Sequence, residues 1–247
     1  MNDAGFGWFD LTWPWIGLCL AVVMIAVLFA TNLVRDDVTG SRWRDLRWLS
    51  FLAVAVYMVH QVEEHGLAAN GVGHAFPDEL CSALGQPPYP GCAIPPLFYL
   101  AVNISLVWIA APVAALLSTR FPLVGMGLWG VIAVNALVHI GPSIATLRYD
   151  AGVLTSFVLF VPLSVVAARA VLIRYRRVAL LVLVFAGMLM HAVLGGGLML
   201  FLHGEIPAWV LVAAQPGGII VGYLVIGLAG RRLRRQWSSG FDDARRS

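Results

Sequence analysis

Four ionisable side chains close an apolar run: His60, Glu63, Glu64 and His65, in the stretch Met58-Val59-His60-Gln61-Val62-Glu63-Glu64-His65. An ionisable group at membrane depth costs roughly 2.5 to 3.5 kcal/mol even on the lenient insertion scale, so it normally marks a functional site with partners. On a helix turning about 100° per residue, His60, Glu63 and Glu64 fall within an arc of roughly 100°, whereas His65 points about 140° away from His60. One imidazole and two carboxylates therefore face the same neighbour.

Other apolar runs carry matching groups. Asn135 and His139 stack on one face at i, i+4 spacing. His191 lies one turn from Gly187 on one side and Gly195 on the other, and small residues there admit a helix or a ligand at close range. Counted from Arg47, Arg120 and Arg177 at about 1.5 Å per residue, His60, His139 and His191 fall within roughly 9 Å of one another along the membrane normal. Asn103 and Gln215 approach that level from the opposite direction. This places one site in the outer half of a bundle.

Three imidazoles with one or two carboxylates form a donor set suited to Zn or Fe, and catalytic zinc commonly keeps one position open for water. Such an ion brings the pKa of its water toward about 7, and a neighbouring Glu can take the proton. The expected ligands are His60, His139 and His191, with Glu64 as a fourth ligand or Glu63 as the base. Asn135 would orient a ligand or the substrate. Two carboxylates also permit a two-metal site, as in helical bundles. The spacing is neither His-Glu-x-x-His nor His-x-x-Glu-His. The alternative to a metal is a hydrogen-bonded network that fixes helix packing.

Composition bounds the fold. Hydrophobic residues make up 60% and charged residues 12%, with mean hydropathy +0.84, a balance no soluble domain of 247 residues needs. Apolar runs long enough to span a bilayer can be drawn at about 14–34, 46–66, 96–118, 123–144, 152–172, 178–202 and 208–229. The expectation is an all-α, polytopic membrane bundle of seven transmembrane helices over 1–230, followed by a basic cytoplasmic tail over 231–247. The first run lacks a basic leader segment and follows Asp3 and Asp10, so it is expected to be a retained span.

Every basic residue is arginine. Arg35, Arg42, Arg44, Arg47, Arg120, Arg169, Arg174, Arg176, Arg177 and those after the last run share one side; Arg148 alone falls opposite. The positive-inside rule then gives an outside N-terminus, a cytoplasmic C-terminus and a multi-pass protein of the cell membrane. The net charge of +3 and the cluster Arg231–Arg235 are topology and headgroup features, and nothing suits nucleic acid.

The one long connection, 66–95, is placed outside and holds Cys81 and Cys92, where a disulfide would pin it as a lid over the site. His74 and Asp78 on this loop could approach the site, although a solvated loop histidine is the commoner case. Cys19 is expected as a small buried hydrophobe, Pro162 as a kink, and Pro216-Gly217-Gly218 as a helix break.

The motif His60-x-x-Glu63-Glu64, then Phe76-Pro77, Asn135-Ala-Leu-Val-His139, Tyr149-Asp-Ala-Gly152-Val-Leu-Thr155, Pro162 and a late His191 resembles the bacterial membrane family named for its His-x-x-Glu-Glu (HXXEE) motif. The resemblance covers about residues 55 to 200 and implies that these His, Glu and Asn positions are the family's signature; it implies no activity. Ala151 stands where the family pattern has Pro.

The residues point first to a metal-dependent membrane enzyme acting on a hydrophobic or lipid-like small molecule, hydrolytic before oxidative, with its site toward the outer face. The alternatives are a metal-ion or proton carrier using the same cluster, and a membrane terpene cyclase with Glu63 or Glu64 as acid. A carrier needs polar groups in both halves of the bundle, and the inner half offers none comparable. Bis-histidine haem ligation would leave the glutamates unused. A retinal Schiff base is excluded because the chain has no lysine.

Overall fold

The computed structural model describes residues 6–244, with side chains as far as Leu233. Among the described residues the chain is helical and forms no strand. Eight helices matter here. They are α1 (Trp8–Ala30), α2 (Leu46–His65), the short α3 (Ala75–Ala83), α4 (Pro96–Thr119), α5 (Pro122–Thr146), α6 (Val153–Arg174), α7 (Arg177–Leu202) and α8 (Ala208–Ala244).

Six of them, α1 and α4 to α8, are long and apolar enough to cross a membrane, which marks a multi-pass membrane protein. The sequence placed a seventh span at 46–66, and the structure puts α2 there, but α2 is not among those six. The reason is position. Sixteen of its 20 residues are buried, packed by α1, α4, α5 and α6, so its neighbours are helices and it need not be apolar on every face. It is the central helix of the bundle.

Local chemistry sets the ends of α2. Asp45, 1% exposed, caps it by accepting from the backbone N–H of Arg47 and Trp48, and its other oxygen accepts from Asp36 and Asp37. Trp48 Nε1 donates to the carbonyl of Leu28 at 2.9 Å, tying α1 to α2. Trp129 Nε1 donates to Leu49 O at 2.9 Å and does the same for α5. α1 starts at Trp8, ahead of the expected residue 14, because Asp10 Oδ2 accepts from Gly7 N–H at 2.7 Å and closes the first turn.

Several expectations are corrected. Cys19 lies on the exposed face of α1. α8 passes through Pro216 without a break, held where Gly218 packs against Val193 of α7. In α6 the strain ahead of Pro162 is taken up by a widened turn over Ser156–Phe160, and α4 repeats this over Ile104–Ala110 ahead of Pro112. Such widened turns absorb the displaced carbonyls left by a proline and often sit at functional sites. The 231–244 stretch continues α8, while Arg234, Arg235 and the rest of the expected basic tail lie outside the described side chains.

Two glycines set the crossing of α5 and α7. A Cβ on Gly130 would meet Leu183 O at 2.1 Å, and one on Gly187 would meet Gly130 O at 2.3 Å. The backbones touch there. Farther along, at His139 and His191, a cavity separates them. Gly195, by contrast, faces open space.

The 66–95 connection folds over the open end. Cys81 and Cys92 are disulfide-bonded, Tyr89 N donates to Asp78 Oδ1 at 2.9 Å, and Tyr89 Oη donates to Ile94 O at 2.5 Å. His74 and Asp78 thus hold the loop: His74 is only half-buried, yet its Nδ1 donates to the carbonyl of His65 at 2.9 Å, and burial keeps its imidazole below the usual histidine range. Replacing Cys81 by Ser is expected to cost the loop about 2 to 3 kcal/mol of chain entropy for a closure of this length. Faster amide exchange confined to 75–95, with the spans unchanged, would be the observable.

Candidate metal centre

His60, Glu64 and His139 each offer a ligand atom, and these atoms lie within 4.8 Å of one another, all three residues being buried. α2 supplies His60 and Glu64 one turn apart; α5 supplies His139. Glu64 Oε1 is 3.0 Å from His139 Nε2 and 3.4 Å from His60 Nε2, and the two rings stand 5.1 Å apart between centroids.

Each imidazole is held from behind. His60 Nδ1 is 2.6 Å from Thr155 Oγ1, and that hydroxyl donates to Glu63 Oε2 at 2.5 Å. With its only proton given to Glu63, the hydroxyl oxygen must accept from His60, so the proton of His60 sits on Nδ1, and its Nε2 lone pair, beside Glu64, accepts from Asn135 Nδ2. His139 Nδ1 meets Asp150 Oδ1 at 3.1 Å, which again directs Nε2 inward. Two imidazoles backed at Nδ1 and directed by Nε2 toward one carboxylate oxygen match the pattern of metal-ligating histidines, whose outer nitrogen is tied to a carboxylate or carbonyl. Without a cation, His139 can bridge its two carboxylates only as an imidazolium.

The adjacent glutamates differ sharply. Glu63 is saturated: Oε1 accepts from Tyr149 Oη at 2.6 Å and Leu154 N at 3.0 Å, and Oε2 accepts from Thr155 N at 2.7 Å as well as its hydroxyl. It pins the start of α6 to α2 and has no oxygen left over for a reacting group. Glu64 has no backbone donor; apart from the two imidazoles, its Oε2 lies 3.9 Å from His65 Nε2.

Asn135 and His191 stand one step out. Asn135 Nδ2 donates to His60 Nε2 at 3.0 Å, and its Oδ1 is 3.4 Å from His191 Nε2, whose Nδ1 faces Gly187 O at 2.9 Å. His191 therefore reaches the cluster through Asn135 and is outside the three-residue group. On the far side of α2, Gln61 Nε2 donates to Asn103 Oδ1 at 3.0 Å, and Asn103 Nδ2 is 3.3 Å from His65 Nε2. His65 Nδ1 has no partner.

Asp150, Gly152 and Thr155 were not singled out as site residues in the sequence, although all three lie in the seven-residue stretch Tyr149–Thr155, which runs into the first turn of α6. Gly152 has φ +103°, and a Cβ there would meet His60 Cε1 at 2.8 Å and His139 Cε1 at 2.9 Å. The loop threads between the two rings.

A cavity of about 260 Å³ opens beside the cluster. Glu64, His139, Asn135 and His191 form one polar wall, Asn103 and Gln215 another, and the rest is mainly apolar. Phe76 of α3 covers it, its ring 5.7 Å from that of His139 and 5.5 Å from that of His65.

Replacing Thr155 by Val removes the acceptor behind His60 while keeping its shape. Cation affinity at the cluster is expected to fall about 10- to 100-fold in chelator-competition titrations, with Thr155→Ser restoring it.

Residues 51–167 match the family described as "Protein of unknown function with HXXEE motif". No match is found among curated proteins or among solved structures.

Proposed function

We propose that this chain, which belongs to the HXXEE-motif family, is a membrane metalloenzyme in which His60, His139 and Glu64 hold one divalent cation of the zinc or iron type. It would act hydrolytically on a hydrophobic small molecule. The observation that carries this reading is the pair of backed imidazoles, His60 on Thr155 and His139 on Asp150, both presenting Nε2 to Glu64 Oε1. With His139 neutral, both Nε2 lone pairs would be open to an ion shared with Glu64.

The donor set fits such an ion: two imidazoles and a carboxylate would hold it, a ligand set common at catalytic zinc and iron sites. When bound, the ion supplies Lewis acidity and water activation near neutral pH. The chain does the rest. Asn135, on the cavity wall beside His60, orients a polar group of the substrate. Glu64 Oε2, turned away from the two imidazoles, is the oxygen able to take a proton. Glu63 positions α6 and thereby His60, and Phe76 with the disulfide-pinned loop limits access of water.

The arginine distribution supports seven crossings with α2 included, an outside N-terminus and a site toward the outer face, and the disulfide supports the same side for the loop. A carrier reading is less well supported, because from Leu49 to Met58 the residues of α2 are packed in apolar core with only Ser50 polar.

Elemental analysis of the protein purified in detergent tests the reading. About one zinc or iron per chain is expected, lost in the His60→Ala, His139→Ala double variant and kept in His191→Ala. A folded wild-type chain that takes up no ion after loading would sink it.

A further inference from the structure

We propose that the cavity takes a single-chain amphiphile with an uncharged hydrogen-bonding head (hydroxyl, amide or ester), drawn sideways from the membrane between α5 and α7. This deepens the function proposed above and rests on it for the chemistry, while the binding itself stands on the shape and charge of the cavity.

The way in is lateral. Val138, 47% exposed, and the exposed Pro142 on α5, with Leu194 on α7, form part of the cavity wall and also reach the lipid-facing surface of the bundle. Val138 and Leu194 each lie about eight residues, or roughly 12 Å, from the loop end of their helices, a depth inside the hydrocarbon of a bilayer about 30 Å thick. From the loop side the cavity is covered by α3. The Gly130–Gly187 contact holds the two helices together on one side of this gap and leaves them apart on the other.

Size and charge narrow the occupant. A volume of about 260 Å³ lies just below the range of small-ligand pockets, roughly 300 to 1,000 Å³. That is room for one chain, not for a two-tailed glycerolipid. No Arg lines the cavity, while Glu64, Glu79 and Asp150 do, with Glu63 close behind. One divalent cation offsets two of these charges, so a phosphate or carboxylate head would add to a remaining excess, and buried unpaired charge is strongly unfavourable. Burial pushes the Glu79 carboxyl up, with Asp150 adding to the effect, as expected of a rim that already resists negative charge. A cationic head would compete with the ion for Glu64. Asn135, Asn103 and Gln215 supply partners for a neutral head.

The test uses the metal-loaded protein in phosphatidylcholine nanodiscs with three diazirine-tagged twelve-carbon probes: an alcohol, a carboxylic acid and an amine. Labelled residues are mapped by mass spectrometry. The alcohol is expected to label the deep wall residues Leu106 and Met190 about tenfold more than either charged probe, while all three label the exposed Leu137 alike. Val138→Trp should block wall labelling by the alcohol, and Glu79→Gln should raise labelling by the acid. Equal wall labelling by the acid or the amine overturns the uncharged head, and unchanged labelling in Val138→Trp overturns the lateral route. Alcohol in the wall of a protein that binds no ion would uphold this proposal while sinking the metal reading. Bound ion with no wall labelling would do the reverse.

Discussion

Glu64→Gln is expected to weaken cation binding by about 10²- to 10³-fold with little change in the stability of the ion-free protein, whereas Glu63→Gln is expected mainly to lower that stability. The two residues are neighbours in sequence and are both carboxylates on one face of α2, so only their partners can separate them. Glu64 Oε1 sits 3.0 Å and 3.4 Å from two imidazole nitrogens. Removing its charge strips the only anion from the ligand group, and losing one partner of a buried charged pair costs about 3 to 5 kcal/mol. The amide keeps the shape, its oxygen can still accept from His139, and Asp150 remains as the counter-charge of that ring, so the ion-free fold survives. Glu63 instead accepts four hydrogen bonds, from Tyr149, Leu154 and twice from Thr155. An amide nitrogen in place of either oxygen would face two donors, and each buried donor left unpaired costs about 1 to 3 kcal/mol. Glu63→Gln should therefore lower chelator-treated stability by about 2 to 4 kcal/mol. Thermal unfolding in excess chelator, paired with titration of zinc or iron, reads both effects. If Glu64→Gln binds the ion as wild type does, the ligand assignment is wrong.

The same contrast shows what could be read from the residues alone. His60, Glu64 and His139 were legible because helical spacing fixes which side chains share a face, and arginine positions fix rough depth; the structure brings these three together. Depth could not say which imidazole faces which. His191 lies at the right level, yet Asn135 stands between it and the cluster. Glu64 could be named as a ligand and Glu63 as the base, but that Glu63 is saturated could not be read, since its partners lie in a segment more than 80 residues away in sequence. That segment was the larger gap. Asp150 and Thr155 lie at or just beyond the ends of spans, where polar residues are ordinary, so a rule built on the cost of intramembrane polarity passes over them. A signal was present: Tyr149, Asp150, Gly152 and Thr155 within seven residues is dense for a short turn between two apolar helices.

The fold was legible to the extent that hydropathy measures contact with lipid. It works for α1 and α4 to α8, which face lipid. It is a weaker guide for α2, whose polar end meets other helices. Pro216 and Cys19 show the same limit: a neighbour on α7 keeps α8 continuous past its proline, and an exposed thiol on a lipid-facing helix costs nothing that composition could register.

Gly152→Ala is expected to abolish cation binding and lower stability by about 2 to 4 kcal/mol, although it adds one methyl group. Two independent costs meet at this residue. Its φ of +103° is a conformation in which a side chain is strained by about 1 to 3 kcal/mol. The new Cβ would also lie 2.8 Å from His60 Cε1 and 2.9 Å from His139 Cε1, closer than carbon atoms pack, and neither ring is free to yield. His60 is fixed by Thr155 and Asn135, and His139 by Asp150 and Glu64. Separating the rings therefore breaks the hydrogen bonds that aim their Nε2 atoms, so binding should fail even in molecules that remain folded. Gly195→Ala is the matched control: it lies one turn beyond His191 but has nothing within 4 Å of the added Cβ, so stability should change by no more than about 0.5 kcal/mol. Metal content and unfolding temperature of the two variants, measured side by side, test whether a glycine between the histidines is a condition of the site or an incidental turn. Ion binding retained in Gly152→Ala would mean that the rings do not need the positions they hold here.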